Sequence, residues 1–263
     1  MSGSNRALNM GLIFRFFDAA NMHRWNDHLR PMDLTELDKQ AHKVAISWYI
    51  GKREEDAGSD VDWTKIIEYC MFSFIERTVL TDLKPEIFHK IRKDRSDEIA
   101  DYVISEFDTA TSDMEQGFRQ RFERYIRSDR SGLEESIIRG AHYLATKWEF
   151  DLILDMNRTF VGIDETQKAI RSEVEMHKDL VGVTDILLDG SAKYFTDMIG
   201  QLRFQQRWTR TPRIPQTTVL GHSLMVSNMV YLHDLDRGAA PKQKDNDYFT
   251  ALFHDLPEVL TKD

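Results

Sequence analysis

Apolar residues recur along most of this chain at intervals of three or four positions, the period that buries one face of an α-helix. The clearest stripe lies within residues 62–82 and consists of Ile66, Ile67, Cys70, Phe74 and Ile75. Alternating runs of β-branched residues, which favour strands, are few, and only six prolines interrupt the pattern. The pattern predicts an all-α protein with helices over 7–22, 35–51, 62–82, 131–157, 163–180, 190–207, 219–235 and 248–262.

Helix boundaries are indicated by residues that cap free backbone groups. Thr35 or Asp33 is the expected N-cap of the second helix, Gly51 its stop, and Asp62 the cap of the third. A hydroxyl and a carboxylate three positions apart can satisfy the free amides of a helix start, as in Ser112…Glu115 and Ser131…Glu134. The segment DLDRGAAPKQKDND, between the last two predicted helices, is expected to be a polar loop.

An internal repeat emerges when the chain is compared with itself so that His222 falls on His42. In this alignment HSLMVSNMVYL lies over HKVAISWYIGK, and ALFHDLPEVLTKD lies over MFSFIERTVLTDL. The dipeptide Arg24-Trp25 matches Arg207-Trp208 with a further shift of three positions. Several matches in the same order indicate a duplication. The copies differ at His254-Asp255, which Phe74-Ile75 replaces in the first copy.

Composition narrows the classes of function. The net charge of −9 argues against a nucleic-acid binder, because such proteins usually carry a basic face. The single cysteine, Cys70, cannot form an internal disulfide, which fits a reducing compartment. Apolar runs of membrane-spanning length are absent from the sequence. We therefore expect a cytoplasmic protein with neither nucleic acid nor membrane as a partner.

The second copy concentrates residues that suit metal chemistry. His222 and the pair His254-Asp255 offer two imidazoles and a carboxylate, a mixed nitrogen and oxygen set that suits Mn, Co, Ni, Fe or Zn. Glu258 follows Asp255 by three positions, so on a helix it would face the same side and could hold a proton or orient water. Arg207 offers a planar donor fork for phosphate oxygens, and Trp208 offers a flat wall against a sugar.

In this order, these residues resemble the HD-domain phosphohydrolases, and most closely the bacterial 5′-deoxynucleotidases of that superfamily. The resemblance implies that His222 and His254-Asp255 bind one divalent transition metal and that Glu258 positions the attacking water. It further implies that Arg207-Trp208 contacts the phosphate and the sugar, and that Asp263 faces the substrate. The implied substrate is a small phosphorylated nucleotide, and the implied assembly is a homodimer.

The resemblance also implies an HD-domain-like helical bundle in two copies. Residues 1–190 are predicted to form a degenerate HD-like domain that lacks the His-Asp pair, and residues 191–263 the N-terminal part of a second, incomplete one. The family aspartate that completes the metal site further downstream has no residue to align with here. Its equivalent place in the first copy falls near His142, followed by Asp151 and Asp155.

Two other interpretations remain open at this point. The chain could be a non-catalytic helical module for dimerisation or ligand sensing, since the first copy has Phe74-Ile75 in place of the pair. Alternatively, the enzyme could act on a dNTP, a cyclic nucleotide or an alarmone. His42 and His142 are expected to be structural, and His233-Asp234 is expected to reflect the preference for histidine near a helix C-terminus.

Overall fold

Twelve numbered helices make up most of the fold in a computed structural model that describes residues 6–80, 95–111, 114–188, 190–208, 210–211 and 214–261. They are α1 Met10–Asp18, α2 Glu36–Asp56, α3 Trp63–Val79, α4 Ser96–Ala110, α5 Gln116–Arg127, α6 Leu133–Ile153, α7 Ile163–Glu175, α8 Val181–Leu188, α9 Gly190–Gln201, α10 Val219–Asp236, α11 Pro241–Phe253 and α12 Glu258–Thr261. Short 3₁₀ turns cover Leu154–Asn157 and Leu202–Phe204. A two-stranded antiparallel ribbon joins β1, His23–Arg24, to β2, Leu34–Thr35. The predicted all-α class is confirmed.

Side-chain caps define several helix starts. The Thr35 side chain accepts the amide of Asp38 at the start of α2, and the Asp62 carboxylate accepts the amide of Lys65 at the start of α3. Both caps were predicted from the sequence. Such caps satisfy donors that the first helical turn leaves without a partner, and each contributes about 1 kcal/mol.

Other predicted boundaries were wrong. Helix α2 continues past Gly51 to Asp56. The glycine serves packing instead of ending the helix, since a Cβ there would come 2.7 Å from the Trp63 ring. The N-cap of helix α6 is Gly132, with a φ of 108°, instead of the expected Ser131. The Ser131 hydroxyl instead donates to Asp129. The other predicted capping pair is Ser112…Glu115. Here Glu115 caps α5 through its own carboxylate, and Ser112 lies outside the described residues.

The expected polar loop between the last two helices is largely helical. Helix α11 starts at Pro241, since proline fits the first helical turn, where its missing N–H costs nothing. Its early polar residues face solvent, which is why the segment resembles a loop in sequence. At the other end, α11 stops at Phe253, and the chain passes through a turn containing Pro257 before α12 begins at Glu258. The single predicted helix over 248–262 is therefore two helices.

The buried core is organised around α2, which is covered on most sides. It packs against α6, α8, α9 and α10, and buried hydrophobic residues from Ala7 to Leu252 form one continuous cluster. This cluster includes residues on both sides of position 190. The division into domains at 190/191 stays a prediction.

A local backbone arrangement occurs twice along the chain. His23 pairs with Thr35 before α2, and Gln206 pairs with Thr218 before α10. The amide that follows each threonine donates back across the pair, from Glu36 to Met22 at 2.8 Å and from Val219 to Gln205 at 2.9 Å. Matching the two threonines shifts the alignment by three positions from the one that matches the histidines. It therefore places Lys39 rather than His42 opposite His222.

Candidate metal centre

Three side chains predicted to bind metal lie together at one end of α10 and α11. His222 projects from the first turns of α10, and His254 and Asp255 follow the end of α11. The Nε2 atom of His222 lies 3.8 Å from Oδ2 of Asp255, and Nε2 of His254 lies 3.1 Å from Oδ1 of Asp255. One ligand atom from each residue lies within 4.8 Å of the others. A single ion could therefore contact all three.

Packing and capping fix the helices that carry these ligands. Thr218 caps α10 by accepting the Gly221 amide, and its carbonyl accepts the His222 amide at 3.0 Å. Phe253, the last residue of α11, packs edge-on against Trp48 of α2 with ring centroids 5.0 Å apart. The position of the His-Asp pair is thus determined by the core immediately before it.

The hydrogen bonding of His254 suits a metal ligand. Its Nδ1 lies 2.7 Å from the carbonyl oxygen of Ala251, and because a carbonyl only accepts, Nδ1 carries the proton. Nε2 then faces Oδ1 of Asp255. Metal-binding histidines commonly donate their other ring N–H to a carbonyl or carboxylate in this way. With side-chain exposures of 30% for His222, 37% for His254 and 16% for Asp255, the group is open to water and a substrate.

The backbone of Glu258 is joined to Asp255 through a turn rather than along a helix. Its amide donates to the carbonyl of Asp255 at 3.0 Å, and its own carbonyl accepts from the Gln205 side chain at 3.0 Å. The predicted proximity to Asp255 therefore arises from the turn containing Pro257. Its role with water stays a prediction.

The Arg207-Trp208 segment is tied to the chain at the starts of α10 and α12. The Arg207 amide donates to the carbonyl of Thr217 at 3.0 Å, just before α10, and the neighbouring Gln205 binds the start of α12. Trp208 is 51% exposed and has a left-handed φ of 59°. The segment thus lies beside the helix that carries His222. Asp263, the remaining predicted substrate contact, lies outside the described residues.

A buried charge network connects this region to the first half of the chain, and the sequence did not indicate it. Glu149 accepts from Nε of Arg24 at 2.8 Å, from the indole of Trp25 at 3.0 Å, and from Arg203. Burial alone would raise the pKa of Glu149, but Arg24 and Arg203 outweigh it and hold the pKa below its ordinary value. In the sequence, only the Arg24-Trp25 dipeptide could have pointed to this network, because Glu149, which accepts the hydrogen bond of the Trp25 indole, is distant in the chain.

In the first half, the positions that resemble the site are filled by the protein's own side chains. Lys39 Nζ lies 2.5 Å from Nδ1 of His142, and burial lowers the pKa of both groups. Asp151 and Asp155 point away from this cluster into exposed ion pairs with Lys147 and Arg158. A buried lysine and a histidine thus take the place of a metal-binding set.

His42 and His233 lie away from the candidate ligands. His42 is buried, donates from Nε2 to the carbonyl of Thr196 at 2.9 Å, and packs edge-on against Trp148. At the end of α10, His233 is exposed and Asp234 accepts from Arg237 at 2.7 Å. This second His-Asp pair lies outside the group of three.

Comparison with known families gives one match. Residues 199–263 match the family model described as HD domain, which includes all three candidate ligands and supports the resemblance to that superfamily. An HD domain points in general to a metal-dependent phosphohydrolase and leaves the substrate open. No curated protein and no solved structure matches the chain. Among the described residues, none of the helices has the length and hydrophobicity needed to cross a bilayer.

Proposed function

We propose that this protein is a metal-dependent phosphohydrolase that removes phosphate from a nucleoside or deoxynucleoside 5′-monophosphate. The observation that carries the proposal is the convergence of His222, His254 and Asp255 within the segment that matches the HD domain. The proposed ligand set takes one divalent transition metal from Mn, Co, Ni, Fe or Zn. When bound, such an ion lowers the pKa of a water ligand and offsets phosphate charge.

Each neighbouring residue has a proposed task. The carbonyl of Ala251 keeps the Nδ1 proton of His254 in place, so that Nε2 stays available. Glu258, one turn from Asp255, orients the attacking water or takes its proton. Proton transfer of this kind contributes about 10²–10⁴-fold in rate.

Substrate recognition is assigned to the segment beside α10. Arg207 binds phosphate oxygens through its donor fork, and the exposed ring of Trp208 lies against the sugar. Asp263 is proposed to face the same substrate. A monophosphate is favoured over a dNTP, a cyclic nucleotide or an alarmone because Arg-Trp resembles the monophosphatase subgroup.

The first half is proposed to be a degenerate copy of the same unit, with residues 1–190 as one HD-like domain and 191–263 as part of another. Support comes from the backbone arrangement that recurs before α2 and before α10. Arg24 and Trp25 there bind Glu149, a carboxylate, where the second unit would bind a substrate anion. This copy is a scaffold in the proposal, and a homodimer is the proposed assembly.

A non-catalytic helical module is the second candidate. Two observations favour it. Lys39 and His142 in the first unit bind each other, and the group of possible metal ligands among the described residues has only three members. In this alternative, any metal at the second unit would stabilise or signal without turnover.

Metal analysis with paired variants tests the proposal. The protein is purified without chelators or a metal-affinity column, beside Asp255→Ala, His254→Ala and the control His233→Ala, which alters the His-Asp pair outside the group. About one transition metal per chain in the unsubstituted protein and control, lost in the other two, is expected. Phosphate release from nucleoside monophosphates with Mn, Co or Ni should follow the same order. Metal without turnover would favour the module, and no metal in any of them would overturn the proposed enzyme and leave the module as the alternative.

A further inference from the structure

One buried carboxylate joins the starts of α2 and α10. Oδ2 of Asp38 accepts the hydroxyl of Thr35 at 2.9 Å, and Oδ1 accepts the hydroxyl of Thr218. Thr35 is the N-cap of α2, and Thr218 is the N-cap of α10. Asp38 is only 3% exposed, so solvent does not compete for these bonds. The two helix starts are therefore held at a fixed distance.

The contact leads directly to the first candidate metal ligand. The Thr218 hydroxyl oxygen accepts the Gly221 amide at 3.0 Å, while its carbonyl accepts the His222 amide at 3.0 Å. Thr218 thus fixes the turn from which His222 projects. Because its hydroxyl proton goes to Asp38, the orientation of this turn depends on a residue in the first half of the chain.

Gly221 allows this close approach. A Cβ at Gly221 would lie 2.8 Å from Oδ1 of Asp38 and 3.1 Å from Leu37. Either contact is closer than real Cβ atoms allow without a shift of the neighbour. A side chain at Gly221, immediately before His222, would therefore collide with α2.

Asp38 lies next to a buried charge network. Burial raises the pKa of the Asp38 carboxyl, while the nearby Arg203, which donates to Glu149 on α6, favours the charged form and partly opposes that rise. Glu149 also holds Arg24. Charges from other segments of the chain therefore act on the carboxylate that orients Thr218.

We propose that Asp38 is a positioning residue for metal binding, which acts through Thr218 to hold His222 toward His254 and Asp255. The inference rests on the proposed metal site and extends it, since Asp38 lies outside the segment that matches the HD domain. It assigns the first half of the chain a direct part in forming the site. Loss of such an outer partner typically weakens metal binding by about 10–100-fold.

Two threonine variants separate this role from general stability. Thr218→Val and Thr35→Val each remove one helix cap and one hydroxyl donor to Asp38, but only Thr218 leads to His222. The affinity for Co²⁺ alone is measured by titration calorimetry, at a temperature where circular dichroism shows both variants folded. We expect the dissociation constant to rise about tenfold or more in Thr218→Val and less than about twofold in Thr35→Val. Thr218→Ser, which keeps the hydroxyl, should restore the affinity.

A second variant covers the case in which Thr218→Val fails to fold. Gly221→Ala improves helix propensity but pushes against Asp38, so it should weaken Co²⁺ binding in spite of that gain. Unchanged affinity in Thr218→Val or Gly221→Ala, or equal losses in the two threonine variants, would overturn the inference while leaving the proposed metal site intact. An unsubstituted protein that binds no Co²⁺ would overturn both.

Discussion

Trp25 and Trp208 occupy matching positions ahead of α2 and α10, and both have left-handed backbone conformations, with φ of 54° and 59°. A bulky residue rarely adopts this conformation, because its Cβ crowds the following carbonyl. Each tryptophan directly follows an arginine. Next to that arginine, a short backbone pairing involves the threonine that caps the following helix. The surroundings of the two rings differ: Trp25 donates to Glu149, whereas Trp208 is half exposed.

This difference predicts that the same substitution destabilises the fold strongly at one tryptophan and little at the other. Trp25→Asn should destabilise the fold by about 2–3 kcal/mol, because it removes packing against Phe150 and the indole bond to Glu149. Trp208→Asn should change stability by about 1 kcal/mol or less, because asparagine tolerates the left-handed conformation and the ring is exposed. Chemical denaturation measures both changes.

The same pair tests the sugar contact proposed for Trp208. If its ring binds substrate, KM for a nucleoside monophosphate should rise by about tenfold in Trp208→Asn, by analogy with base–aromatic stacking, which contributes about 1–3 kcal/mol. An unchanged KM with an unchanged deoxy-over-ribo preference would contradict that role.

Glu149 is predicted to be essential to the fold. Glu149→Gln leaves the guanidinium groups of Arg24 and Arg203 buried beside a neutral amide, and removing one partner of a buried ion pair costs about 3–5 kcal/mol. Asp155→Asn is the matched control, because it breaks a carboxylate–arginine pair that is fully exposed to screening. Urea denaturation should show a large loss in the first variant and a stability close to the unsubstituted value in the second. Similar stabilities would mean that the network is not structural.

Local signals predicted the helices well and their limits less well. The apolar period located α2, α3 and α10, and the caps Thr35 and Asp62 were correct because a cap acts within one turn. Gly51 misled the prediction, since a glycine can end a helix or make room for a close contact, and only tertiary packing decides between the two. Here Gly51 makes room for Trp63. The polar segment before residue 248 was also misread as a loop, because α11 begins within it at Pro241.

The candidate site could be predicted only where its members lie close to a recognisable motif. His222, His254 and Asp255 are brought together as expected, from two helices that pack side by side. Asp38, Glu149 and Arg203 could not be found in this way, because their partners are far away in the sequence and each charge has an ordinary surface role in most sequences. Only packing shows that they are buried.

His42 should make the fold sensitive to acid. Burial, together with the nearby positive charge of Arg203, lowers the pKa of His42 to about 3, from about 6.5 in an unfolded chain. Between these values only the unfolded state binds the proton, so the free energy of unfolding falls as the pH is lowered through this window. The loss from this group should be about 2 kcal/mol between about pH 7 and about pH 5.

The variant His42→Gln isolates that contribution. Glutamine keeps a donor for the carbonyl of Thr196 but does not titrate, so its stability should fall less over the same pH range. Denaturation curves at both pH values give the difference. Parallel losses in the two proteins would show that other groups cause the acid sensitivity.

Metal binding should itself stabilise the protein, and this prediction does not depend on turnover. An ion that binds only the folded chain adds RT ln(1 + [L]/Kd), which is about 2.7 kcal/mol at one hundred times the dissociation constant. We expect Co²⁺ to raise the melting temperature of the unsubstituted protein and of His233→Ala, and a chelator to reverse the rise. Asp255→Ala should show no rise, because the carboxylate that lies between the two imidazoles is gone. A rise of equal size in Asp255→Ala would place the ion elsewhere on the surface, since one ligand site cannot keep its affinity after losing its only carboxylate among the described residues.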